Sequence, residues 1–241
     1  MPSPFCSPLY SWRSACPGQS PQASGERWSY REKLLEGVSF IRRDALLLPI
    51  VATVTIGILL VNAPLFAVML PVFIDDMAGS PALWGTLIAS FAVGALAGAS
   101  LSTAIGHRLP KRRLWIGCFI GIFTPYIAIG LSLPLITLYP AMAIFGLAEG
   151  LSTPLYAVTR YRRIPKELRG RVFSSLTPVT GLVPMLGVAF PALLFPILSV
   201  SGVALVLLVP GVALVAWLVL SPVFRLMDTT SDTEASPSPG A

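Results

Sequence analysis

Glu149 stands apart from the other acidic residues of the chain, because it alone lies inside a long apolar run. Ser152, Thr153 and Tyr156 follow it at i+3, i+4 and i+7, a spacing that stacks all four on one side of a helix. Thr159 and Arg160 carry the stripe onward. A charged group in hydrocarbon costs about 2.5–3.5 kcal/mol, so such residues usually have a use. Glu149 is therefore a candidate to bind substrate or to carry a coupling proton. Equally, it could hydrogen-bond a neighbouring helix or reach Arg160, since it sits about 14 residues into its run, past the midplane at about 1.5 Å per residue. Asn62, with Thr53 and Thr55, is a second candidate for a cavity wall, or else an amide that ties two helices together.

Other chemistries find little support. The one histidine, His107, lies among basic residues outside the apolar runs, so an intramembrane Ser–His pair cannot form. Cys6, Cys16 and Cys118 have no ligand-like spacing and no even pairing. A phosphate-binding G-x-x-x-x-G-K-[ST] is absent, as are charged Pro-containing carrier repeats and a filter-like loop. The chain is read as a non-enzyme, with no cofactor or metal and no nucleic-acid partner.

The elements that would position these residues follow from composition. The 241 residues are 54% hydrophobic and only 12% charged, against roughly 25% charged in a soluble domain. Six apolar runs, near 46–73, 83–105, 114–133, 135–158, 172–198 and 203–223, each approach the roughly 20 residues needed to cross a bilayer. Unbroken runs argue for helices, since open strands in lipid would leave backbone groups unpaired. The expected fold is all-α, a polytopic membrane protein with six transmembrane helices spanning residues 45–225.

Positive charge supplies the topology. The net charge is +6, and every Lys and Arg precedes the first run, lies between the second and third or the fourth and fifth, or follows the sixth. The alternate connections contain none, and the first of them holds Asp75 and Asp76. Both termini are thus expected in the cytoplasm. Residues 1–25 lack periodicity and read as a disordered leader. Residues 26–44 read as an amphipathic helix, interfacial or cytoplasmic, and 226–241 as a disordered cytoplasmic tail.

Packing signals are scattered through the runs. Ser90, Gly94, Gly98 and Ser102 repeat every four residues, and Gly117 with Gly121 and Gly146 with Gly150 do so once each. These allow close helix approach without naming a partner. Prolines at 64, 71, 125, 140, 154, 178, 184, 191 and 210 predict kinks, chiefly a bent fifth run. The sixth run, with no polar side chain between Val203 and Leu220, should lie on the lipid-facing periphery.

Two loops carry a resemblance to a known family. The stretch S-T-A-I-G-H-R-L-P-K-R-R-L resembles the second copy of the major facilitator loop motif, with Arg108, Lys111, Arg112 and Arg113 as its basic part and the motif's Asp missing. The stretch R-I-P-K-E-L-R-G-R-V-F, holding Pro165, Glu167, Arg169, Gly170 and Arg171, is similar to the loop before the eleventh helix in the exporter branch that includes enterobactin-exporter-like and macrolide-efflux-like proteins. The leader segment E-G-V-S-F-I-R-R-D resembles the end of that branch's central loop.

The resemblance covers about residues 30–225 and implies helices seven to twelve of a twelve-helix fold. It implies that the first and fourth runs line the cavity and that the third and sixth face lipid. It implies a secondary transporter of the plasma membrane, proton-coupled and exporting a small molecule, that works against a second six-helix half. That half would belong to the same chain, if the start is misplaced, or to a second copy. The alternative is a truncated fragment that inserts in the bilayer and transports nothing. For the basic loops the plainer role is topology and contact with anionic headgroups. A Glu167 ion pair is the other option, worth only about 0–1 kcal/mol if exposed.

Overall fold

The computed structural model describes residues 39, 41, 42, 44, 46–77, 80–105, 110–165 and 168–221. The expected leader, most of the amphipathic helix and the tail lie outside them. The described residues form six helical segments and no strand: α1 Leu47–Asp76, α2 Pro81–Ile105, α3 Lys111–Gly130, α4 Leu135–Arg163, α5 Arg169–Leu194 and α6 Val200–Leu220. Each lies close to one expected run. Five are long and apolar enough to cross a membrane, whereas the described part of α5 offers only the shorter apolar stretch Gly181–Leu194.

The outward surface confirms lipid as the solvent. Leu96 and Ile136 are exposed by 71% and 72%, and Ile197 and Leu220 by 81% and 80%. In water such a continuous apolar surface would drive association. In lipid it costs nothing, so helix association must come from close packing and interhelical hydrogen bonds.

α4 is the hub. It packs along its length on α2 and also touches α3 and α1. The approach to α2 is set by glycine on both sides. A Cβ on Gly94 or Gly98 would fall on the carbonyl oxygen of Ala143 or Leu147, and one on Gly146 or Gly150 on that of Phe91 or Ala95. The two small-residue motifs are therefore partners of each other. Ser90 Oγ adds a hydrogen bond to the Tyr139 carbonyl at 2.8 Å.

Proline shapes α1 and α3. Pro64 has no N–H to donate, and the helix widens on either side of it into five-residue wide turns, Ile58–Asn62 and Leu65–Met69. The backbone N–H groups of Ala63 and Leu70 accordingly bond the carbonyls of Ile58 and Leu65, five residues back. Pro125 starts the second half of α3 just after Phe123 and kinks it there. α5 rests on the widened part of α1, where a Cβ on Gly187 would lie 2.6 Å from the Leu59 carbonyl oxygen.

Between α3 and α4 the turn is closed by two bonds, Leu133 N–H to the Ala128 carbonyl and Ser132 N–H to the Ile129 carbonyl, both 3.0 Å. Ser132 adopts φ 50°, the left-handed conformation this helix ending requires and more often assigned to glycine.

α6 buries Val203, Ala204, Leu207, Gly211, Leu214 and Leu218 against α3 and turns Val209 and Val212 outward. Its peripheral position agrees with the all-apolar reading. The lipid-facing expectation for α3 does not hold in the same way. α3 is the most buried of the five spanning helices, with 56% of its apolar window inside, while α2 has only 17%. The reason is that α3 sits between α4 and α6 and fills the space behind α1.

Candidate functional site

The stripe on α4 opens into a cavity of about 70 Å³. Glu149, Ser152, Thr153 and Tyr156 form one wall, and Val54, Gly57, Ile58 and Asn62 of α1 the opposite one. The back is closed by Trp115, Phe119 and Ile122 of α3. The five residues singled out for the cavity thus come together from two helices that are 87 positions apart at Asn62 and Glu149.

Local structure explains each placement. Asn62 ends the first wide turn of α1 and lines the same cavity as Glu149. Of the two roles foreseen for Asn62, the geometry shows it on the cavity wall. Ser152 Oγ and Thr153 Oγ1 donate back to the Glu149 carbonyl at 3.1 and 2.9 Å, as helix hydroxyls do when no water competes. Their lone pairs remain for the cavity. Gly57 lets Phe119 approach, since a Cβ there would stand 3.3 Å from the ring.

Thr53 and Thr55 do not join this wall. Thr53 is fully buried and donates to the Pro49 carbonyl at 2.6 Å, and α1 presents Val54, Gly57 and Ile58 instead. Arg160 does not pair with Glu149. Its guanidinium lies 4.0 Å over the Tyr156 ring and 5.1 Å from the Phe173 ring, and it donates to the Tyr156 hydroxyl at 3.2 Å.

The basic ends of the helices serve as ties. Arg112, next to Lys111 and the exposed Arg113, donates to the Val219 carbonyl at 2.6 Å and caps the last turn of α6. Arg169 donates to the carbonyls of Ile164 and Tyr161 at 3.1 and 2.8 Å, holding the start of α5 to the end of α4 across Pro165. Gly170 is exposed, with open space around it. Arg108, Glu167 and the Arg171 side chain lie outside the described residues, so the suggested Glu167 pair does too.

Two contacts had no counterpart in the reading of the chain. One is the α3 wall, although Trp115, Phe119 and Ile122 share one helical face at i, i+4 and i+7. The other is an ion pair between Arg163 Nη1 and Asp44 Oδ1 at 3.2 Å. Asp44 also accepts from the N–H groups of Leu46 and Leu47 at 2.9 and 2.8 Å, capping α1.

Burial by itself pushes the Asp44 carboxyl up, but the Leu47 and Leu46 N–H groups and the Arg163 guanidinium outweigh it and hold the group below its ordinary value. A carboxyl depressed in the folded state stabilises the fold above its unfolded-state value and loses that contribution as pH falls through the folded one. Asp44→Ala should therefore cost about 1 kcal/mol at neutral pH, mostly as a lost cap. Thermal unfolding in detergent should show that deficit at pH 7 and a much smaller one at about pH 3. An equal deficit at both pH values would count against this account.

A family model described as Major Facilitator Superfamily matches the chain over residues 10–188 and again over 65–240. No curated protein and no solved structure matches it.

Proposed function

The chain belongs to the Major Facilitator Superfamily and is a multi-pass membrane transporter, and on that premise we propose that it is the C-terminal six-helix half of a proton-coupled exporter of small molecules. The observation that carries this is the convergence of Glu149, Ser152, Thr153 and Tyr156 with Asn62 on one cavity inside an otherwise apolar bundle. A carboxyl in such a place is a carrier for substrate or proton. The half works by rocking against a second six-helix half, in the same chain or in a second copy, with the site between them. The exposed apolar face of α5, including Leu182, Met185 and Leu186, is available for that contact. Basic residues cluster at the C-terminal end of α4 and at the starts of α3 and α5, which supports a plasma-membrane protein with both termini in the cytoplasm.

The test is accumulation of a panel of fluorescent amphipathic dyes in cells expressing the protein, at several external pH values. Expression should lower the accumulation of at least one dye, more strongly with the inward proton gradient than after an uncoupler. Glu149→Gln should leave surface expression intact and flatten the pH dependence. If the variant keeps the wild-type pH profile, Glu149 is not the coupling group.

A further inference from the structure

We propose that the cavity between α1, α3 and α4 takes the head group of a small organic cation. The inference deepens the reading of this cavity as the substrate site and rests on it.

The polar inventory of the walls is lopsided in charge. Glu149 brings the one carboxylate. The hydroxyl protons of Ser152 and Thr153 are committed to the Glu149 carbonyl, so what these residues still offer is lone pairs. Asn62 also lines the cavity and brings both a carbonyl oxygen and amide N–H donors. Tyr156 receives a hydrogen bond from Arg160 and keeps its own proton to give. The donors are Tyr156, the Asn62 amide and the Trp115 indole N–H, which has no partner among the described residues, and Glu149 brings the one carboxyl to the walls.

The remaining wall is aromatic. Trp115 and Phe119 line the cavity, and the faces of such rings attract a cation within about 6 Å. Arg160 already uses the Tyr156 ring in this manner, stacked on it at 4.0 Å. Among the described residues it makes no ion pair with Glu149. An anion entering here would meet Glu149 directly. A neutral apolar group would cover the carboxylate without pairing it, which is costly. A cation satisfies both the carboxylate and the rings.

Volume limits the head group. At roughly 10–15 Å³ for each water-sized occupant, a cavity of about 70 Å³ admits about five non-hydrogen atoms. A primary or secondary ammonium on a short alkyl stem fits, with a larger body left to extend toward the cavity mouth.

The experiment uses three probes of nearly equal size and different charge: propylammonium, 1-propanol and propionate. Binding to the protein in lipid nanodiscs is followed by saturation-transfer NMR, with empty nanodiscs subtracted. Propylammonium should saturate at roughly a ten-fold lower concentration than either of the others. Glu149→Gln should erase that preference, and Glu149→Asp, which keeps the charge, should retain it. Should Glu149→Gln fail to fold, the ranking of the three probes on the wild-type protein decides the matter alone. Equal or tighter binding of 1-propanol or propionate would overturn the cation assignment while leaving the cavity a binding site. Absence of binding by all three would overturn the proposal and the cavity reading beneath it.

Discussion

Gly146→Leu is expected to prevent the bundle from assembling. The Cβ of any side chain at this position would fall on the Phe91 carbonyl oxygen and close to the Ala95 nitrogen, 2.9 Å away. Both are backbone atoms of α2, so no rotamer change relieves the overlap. Relief requires α2 and α4 to move apart along the most extensive helix contact of the molecule. In lipid that separation forfeits packing that no hydrophobic effect between helices replaces. The cost should reach about 3 kcal/mol or more, the upper end for overpacking. Size-exclusion profiles and thermal unfolding of the detergent-solubilised protein should show loss of the monodisperse species. Gly117→Leu is the control, because a Cβ there meets nothing within 4 Å, and its effect should stay within about 0.5 kcal/mol. If Gly146→Leu proved as stable as Gly117→Leu, the α2–α4 contact would not be as close as described.

Phe145→Ala should be the next most damaging change. Phe145 is fully buried and meets Phe66 of α1 and Phe91 of α2 at ring-centroid distances of 5.8 and 5.0 Å, with Phe66 and Phe91 themselves 5.1 Å apart. These rings tie the first, second and fourth helices together one turn from Glu149. Truncation leaves a cavity that the surrounding helices fill only in part. Phe→Ala in a soluble core costs about 3–5 kcal/mol, and the loss here should fall near 3 kcal/mol because transfer from water contributes little in lipid. Phe145→Leu, which keeps most of the volume, should recover more than half of it. Thermal unfolding of the three proteins in one detergent measures both differences. A loss under about 1 kcal/mol for Phe145→Ala would mean that the aromatic cluster does not bind the three helices to one another.

The helices themselves were legible because their cause is local. A bilayer demands about 20 consecutive apolar residues with every backbone group paired, and that demand is written residue by residue. The stripe from Glu149 to Tyr156 was legible for the same reason, since 3.6-residue periodicity places those side chains together in any helix. The small-residue repeats were half legible. Their spacing announced a close contact, yet nothing in either repeat named the other, because the partner of Gly94 lies about fifty positions away at Ala143.

What remained to tertiary structure was whatever depends on two helices meeting at a given rotation. Asn62 closes the first wide turn of α1, before Pro64, and shares a cavity with Glu149 of α4. In the regular part of α1 before that turn, Val54 and Gly57 face the cavity and Thr53 is buried elsewhere. The α3 wall was hidden because Trp115 and Phe119 are apolar among apolar residues, and only packing on α4 and α6 separates an inward ring from an outward one. By itself, then, the sequence determined the helices, their solvent and the chemistry available on α4, all consequences of short-range periodicity in an apolar medium. The depth of α3, the pairing of the glycine repeats and the meeting of Asn62 with Glu149 were decided only by tertiary packing, because lipid rewards every apolar face equally and close fit alone chooses among them.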